Sequence, residues 1–119
     1  MEVKMAGITA DKSYAFAIKI VKLYQYLVND KKEFVLSRQL LRSGTSIGAN
    51  VREGEDGQSR ADFLSKFNIA LKEANETLYW IDLLHDTDFL EDKEYELIYA
   101  DCIELKKLLT SIVKTTRSK

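Results

Sequence analysis

Apolar positions along the chain fall into four runs with helical spacing, separated by three polar breaks. The first run, from about Asp11 to Asn29, contains Tyr14, Phe16, Ala17, Ile18, Ile20, Val21, Leu23, Tyr24, Leu27 and Val28. On a wheel of 100° per residue these cover well over half the circumference, leaving a narrow arc for Lys12, Lys19, Lys22 and Asn29. A helix of a monomeric bundle needs only about a third of its surface apolar. The excess predicts a second contact surface between copies of the chain, with Phe16, Ile20 and Leu27, and Trp80 from further on, as the contacts. The alternative is a helix wedged deep in its own bundle. Asp11 is a fitting N-cap, and residues 1–10 read as a loose tail.

The second run, from about Phe34 to Glu53, has three faces. Leu36, Leu40, Gly44, Ile47 and Val51 form an apolar stripe. Gln39, Ser43, Ser46, Asn50 and Glu53 form a polar stripe beside it. Arg38, Arg42, Thr45, Ala49 and Arg52 lie roughly opposite the apolar one. The polar stripe adjoins the apolar one, so part of it is expected to turn inward, where an unsatisfied donor costs about 1–3 kcal/mol. Gly44 and Gly48 each cost about 1 kcal/mol in a helix interior relative to Ala, which predicts another backbone passing close by. A break at residues 43–45 is the competing reading.

Gly54-Glu55-Asp56-Gly57-Gln58 is the clearest break in the chain. A third helix is expected from Ser59 to about His85, with Ser59 and Asp62 close to a capping box. Its stripe is Phe63, Phe67, Ala70, Ala74, Leu78 and Ile81. A neighbouring polar stripe of Asn68, Lys72, Asn75 and Tyr79 is a natural partner for the polar stripe of the second helix. Residues 86–90 form a turn that tucks Phe89 and Leu90 under the bundle end. The fourth helix, from about Glu91 to Thr115, carries Tyr95, Ile98, Cys102, Leu105, Leu109 and Ile112 at alternating steps of three and four. Acids lead it and lysines close it, as the helix dipole prefers. Residues 116–119 are expected to fray. Four helices on short connections predict an all-α, up-down-up-down antiparallel four-helix bundle spanning residues 11–115.

Composition narrows the picture. The 119 residues fit one domain, and a chain with no Pro and five Gly favours long helices. No apolar run is long enough to span a membrane. A single cysteine and the absence of a signal-like start point to the cytoplasm. The net charge of −1 hides an asymmetry. Residues 73–104 hold eleven of the 19 acids and only one base, Lys93, leaving seventeen of the 18 Lys and Arg elsewhere.

Candidate chemistry is sparse. His85 is the only histidine. The spacing Asp82-x-x-His85 is one that di-iron bundles use, but those need two such motifs and two further carboxylates, so His85 reads as packing at the tip. Cys102, in mid-seam, reads as core. No Gly-rich phosphate loop is present. No catalytic residue, cofactor or metal is expected, and the chain reads as a non-enzyme. The remaining candidate is the basic stripe Arg38, Arg42 and Arg52, extended by Lys19, Lys22, Arg60 and Lys66, which suits the phosphates of RNA or DNA. A solvated face, or pairing of the same stripe with Glu73 and Glu76 of a neighbouring helix, is the competing reading. A protein-interaction scaffold that binds no nucleic acid is the alternative function.

The stretch Gln39-Leu40-Leu41-Arg42-Ser43-Gly44-Thr45-Ser46-Ile47-Gly48-Ala49-Asn50-Val51-Arg52-Glu53-Gly54, together with Lys72-Glu73-Ala74-Asn75-Glu76-Thr77-Leu78-Tyr79-Trp80-Ile81-Asp82-Leu83-Leu84, resembles the signature of a bacterial four-helix-bundle family. Its members are encoded in intervening sequences of large-subunit (23S) ribosomal RNA genes. The resemblance covers roughly residues 13–114. It implies assembly into a homopentamer and a link to nucleic acid, as in the related accessory protein of diversity-generating retroelements. The acidic tip between the third and fourth helices departs from that basic relative.

Overall fold

The computed structural model describes residues 2–118, with side chains from residue 4 onward. Four helices account for nearly all of it: α1 Glu2–Asn29, α2 Leu36–Glu55, α3 Arg60–Asp86 and α4 Asp92–Arg117. Each helix packs on its neighbours in sequence, and α1 closes on α4. The contacts give the directions. Ile20 lies against Gly44 while Ser13 lies against Gly48, so α1 and α2 run oppositely. Arg42 reaches Glu76, and Gly54 faces Phe67. Tyr95 bonds Asp82, Cys102 reaches Ala74, and Arg60 bonds the end of α4 at Thr116. Lys12 meets Glu104 and Lys19 meets Asp101. Along each pair one residue number rises as the other falls, which is the signature of an antiparallel up-down-up-down bundle. No helix among the described residues is long and apolar enough to cross a membrane.

The core follows the predicted stripes of α2, α3 and α4. Leu40, Gly44, Ile47 and Val51 are buried from α2; Phe67, Ala70, Ala74, Leu78 and Ile81 from α3; Ile98, Cys102, Leu105, Leu109 and Ile112 from α4. Burying a side chain of this size is worth roughly 1.5–3 kcal/mol. α2 is continuous through residues 43–45.

Four expectations need correction. Residues 2–10 are not a loose tail: they are the first turns of α1, and Ala6 and Thr9 are buried. Small side chains let this stretch lie close to the rest of the bundle, and the Thr9 hydroxyl is satisfied by the Met5 carbonyl at 2.7 Å. Asp11 is therefore mid-helix and caps nothing. Residues 116 and 117 do not fray, because Thr116 is buried and its carbonyl accepts a hydrogen bond from Arg60; Lys119 lies outside the described residues. Phe16, Ile20 and Leu27 are not subunit contacts. All three are buried in the chain's own core. Finally, α2 starts two residues late and ends two residues late. Gly54 lies inside it, and a Cβ there would stand 2.7 Å from Phe67. The glycine seats an aromatic ring of α3 and does not break the helix.

The α1–α2 connection is held by one side chain. The Glu33 carboxylate accepts the backbone N–H groups of Ser37 at 2.7 Å, Leu36 at 3.1 Å and Val35 at 3.3 Å. These are the orphan donors at the start of α2. Burial pushes the Glu33 carboxyl up, but the hydrogen bonds outweigh it and hold it below the usual carboxylate range. Phe34 and Val35 are left pointing into solvent, 52% and 70% exposed.

Candidate functional site

The arginine stripe of α2 is built as the wheel requires, yet its members do different things. Arg42 sits at its centre and is held by α3. Its guanidinium reaches Glu73 at 3.3 Å and makes a second contact to Glu76. Glu76 in turn accepts the indole N–H of Trp80 at 2.9 Å. Arg42 is thus an inter-helix clamp, as the competing reading had it. Trp80 lies half-buried on that clamp, edge-on to Tyr79 with ring centroids 4.9 Å apart.

Arg38 and Arg52 remain exposed near opposite ends of α2. Neither has a carboxylate partner among the described residues. The Arg52 guanidinium lies 5.5 Å from the centre of the Tyr14 ring, a cation–π contact that orients it on the outer surface. Of the candidate extensions, Lys19 is paired with Asp101 at 2.7 Å. Arg60 donates to the Thr116 carbonyl, one of the last acceptors of α4. Lys22 is exposed. Of these candidates, Arg38, Arg52 and Lys22 are left to solvent and Arg42, Lys19, Arg60 and Lys66 are spent on the bundle. Lys19 and Lys22 line the α1–α4 groove and Arg60 lies at the end of α4, so the structure does not gather them into one stripe with the α2 arginines.

The polar stripe makes one buried bond between helices. Thr77 Oγ1 and Ser43 Oγ lie 2.9 Å apart, and the Thr77 hydroxyl also reaches the Glu73 carbonyl at 2.7 Å. Both side chains are fully buried. The rest turn back on their own helix or towards water. Ser46 donates to the Arg42 carbonyl, Asn50 to the Ser46 carbonyl, and Gln39 accepts from Arg42. Glu53 pairs with Lys66 at 3.6 Å. Asn75 is exposed and Asn68 half-buried, and no bond joins either to Gln39, Ser43, Ser46 or Asn50. Ser43 pairs with Thr77 because the α2–α3 register puts Thr77, not Asn75, on the inward face.

The outer surface of α1 shows what the broad apolar arc leaves over. Tyr14, Ile18 and Val21, spaced by four and three residues, are 57%, 44% and 38% exposed. Beside them an open groove of about 390 Å³ runs between α1 and α2, floored by Ala10, Ala17, Thr45, Gly48 and Ala49. Small residues keep the two helices close and the floor shallow. α3, which lies diagonal to α1 in the bundle, has its own exposed apolar residues, Ile69 and Tyr79. The residues of the broad arc expected to face outward, Phe16, Ile20 and Leu27, are its inner members, and Tyr14, Ile18 and Val21 are the outer ones.

At the tip joining α3 to α4, His85 stacks on Tyr95 with ring centroids 4.0 Å apart. The Tyr95 hydroxyl donates to Asp82 at 2.7 Å, and this bond raises its pKa to about 12. His85 bonds Asp92 and not the residue three before it. Cys102 is buried beneath α3, and desolvation lifts its thiol to about 12, far from the range of a nucleophile. Among the described residues no group of three or more His, Cys, Asp or Glu is placed to hold a metal ion.

Comparison with known proteins identifies a family and a similar solved structure. The family model described as 23S rRNA-intervening sequence protein matches residues 8–111. A crystal structure from Bacteroides thetaiotaomicron, of a protein of unknown function from the S23 ribosomal protein family, is similar at 58% identity and a TM-score of 0.91. The match covers 92% of this chain and 98% of that one. No curated protein matches.

Proposed function

This chain belongs to the 23S rRNA-intervening sequence protein family, and from that premise we propose that it is a non-enzymatic bundle that works as a homo-oligomer and associates with RNA. The observation that carries the assembly is the uncovered row Tyr14, Ile18 and Val21 beside the α1–α2 groove. Apolar surface of this kind, set in line on one helix, favours a protein contact. α1 and α3 are diagonal in the bundle, so Ile69 and Tyr79 face away from that row. Two unlike faces on opposite sides favour head-to-tail contacts, which close into rings; the pentamer implied by the family resemblance is one such ring.

Ile18→Glu and Tyr79→Glu each remove one face. Each alone gives monomers by light scattering. Mixed, they give a heterodimer, because one intact pair of faces survives. A wild-type monomer at micromolar concentration overturns the assembly. A mixture that stays monomeric overturns the head-to-tail arrangement.

For nucleic acid, the reading rests on Arg38, Arg52 and Lys22, the three of the candidate cations that are exposed and have no carboxylate partner among the described residues. Binding to single-stranded RNA falls steeply with salt and drops on Arg38→Ala and Arg52→Ala, while Arg42→Ala has little effect. The clamping of Arg42 by Glu73 and Glu76 favours the second reading, a protein-interaction scaffold without nucleic acid. No RNA retardation at low salt decides for it.

A further inference from the structure

The outer face that α4 shares with α3 gathers cations and no acids. Residues 105–118 hold Lys106, Lys107, Lys114 and Arg117 and not one Asp or Glu. Lys107, Thr110, Lys114 and Arg117 recur at steps of three, four and three, so they form one row along the helix. All four are exposed, and Lys106 stands beside them. An open groove of about 370 Å³ follows the row between α3 and α4, with Asn68 and Leu71 on its α3 wall and Val113 in its floor.

The acids nearest this face are engaged on other sides of the bundle. Asp101 and Glu104 of α4 turn to α1, where Lys19 and Lys12 meet them. Glu73 and Glu76 of α3 turn to α2 and hold Arg42. Asp62 lies against Gly57 in the α2–α3 turn. Among the described residues no carboxylate pairs with Lys106, Lys107, Lys114 or Arg117, whereas Lys12, Lys19, Arg42 and Lys66 are all paired. The helix dipole accounts for Lys114 and Arg117, which stand in the last turn of α4. It does not account for Lys106 and Lys107, about two turns further back.

We propose, taking the RNA association above as given, that the strand runs along this α3–α4 face: Lys107, Lys114 and Arg117 meet its phosphates, and the Asn68 amide donates from the facing wall. From Lys107 to Arg117 the row is about 15 Å long at a rise of 1.5 Å per residue. That is the reach of roughly four nucleotides stacked at about 3.4 Å each. Asn68 is half-buried on the groove wall, and its amide N–H groups suit a phosphate oxygen. No aromatic ring lines the groove, so bases find nothing to stack on, and the contact is with the backbone whatever the sequence. An acidic protein partner would need an apolar centre to bury, and this face offers it only Leu71 and Val113. The row escapes a sequence reading because its lysines pass for a dipole effect, and only the folded bundle shows the neighbouring acids turned away.

Fluorescence anisotropy of a labelled oligouridylate with the full chain tests this. Lys107→Gln, Lys114→Gln and Arg117→Gln together weaken binding at least tenfold at low salt, and lower the slope of log affinity against log salt by about 2, three phosphate contacts at about 0.7 each. Thr110→Glu, a single exposed change in the middle of the row, also weakens binding and checks the triple variant independently. Lys4→Gln, Lys12→Gln and Lys31→Gln together remove the same charge elsewhere and change affinity by less than about twofold, which separates a local contact from a net-charge effect. A triple variant at Lys107, Lys114 and Arg117 that binds as the wild type does, or no more weakly than the Lys4, Lys12 and Lys31 set, overturns this surface. If Arg38→Ala and Arg52→Ala still weaken binding in that case, the RNA association itself stands. A wild type that binds no RNA at low salt overturns both.

Discussion

Gly44 gives the sharpest quantitative test of how the core is built. An alanine there gains about 1 kcal/mol of helix propensity. Its Cβ would also stand 2.8 Å from Cγ1 and 2.9 Å from Cγ2 of Ile20. Those atoms are the two branches at Cβ of a side chain whose χ1 is locked in a helix, so Ile20 cannot swing aside and α1 must shift. Overpacking of this kind costs about 1–3 kcal/mol. The clash outweighs the propensity, and Gly44→Ala is net destabilising by about 1 kcal/mol. Ile20→Ala alone costs about 2–5 kcal/mol through the cavity it leaves. In that background the clash is gone and the new methyl fills part of the hole, so the same Gly44→Ala change stabilises by about 1 kcal/mol. The sign reverses, with a coupling of about 2 kcal/mol. Urea unfolding of the four proteins at one fixed concentration measures it, since association would otherwise add its own stabilisation. A stabilising Gly44→Ala in the wild type, or equal effects in both backgrounds, refutes this account of the α1–α2 contact.

Two further outcomes follow from single side chains. The Glu33 carboxyl is held below its usual range, so it contributes stability that is present above about pH 4.5 and is lost as pH falls through its folded value. Glu33→Gln, which keeps the shape but loses the charge, flattens that part of the acid-unfolding curve and lowers stability at pH 7 by roughly 1–2 kcal/mol; an unchanged acid limb counts against it. Cys102, buried and with its thiol lifted to about 12, resists a thiol reagent at pH 8. Its modification rate rises with urea in step with unfolding, and rapid labelling of the native protein contradicts the burial.

How much of this was legible beforehand depended on the contrast within each helix. In α3 and α4 the apolar residues form narrow stripes, so period alone placed Phe67, Ala74, Cys102 and Leu109 inside. In α1 the contrast fails. More than half the wheel is apolar, while Thr9 and Ser13 are buried because each hydroxyl bonds its own helix, to Met5 and Ala10. Hydrophobicity could not rank Ile18 below Ile20, and only the position of Gly44 on the facing helix decides between them. Gly44 and Gly48 did signal close approach, but at Gly44 the neighbour is a side chain and only at Gly48 is it the backbone of Ser13. The role of Arg42 stayed open between two readings for a different reason. Arg42 and its acids are 31 and 34 residues apart, and they meet only once the antiparallel register of α2 and α3 is set. Glu33 gave no periodic signal at all, because its work lies in a connection.

The reversal of direction at each connection also decides where handles can be attached. The start of α1 and the end of α4 share one end of a body 46 Å long, next to the α2–α3 turn. His85 and the exposed Phe34–Val35 pair sit at the other. A protein tethered to a sensor chip through either extremity presents the histidine end outwards, whereas a graft in the loop of residues 56–59 would invert nothing and leave that end equally open.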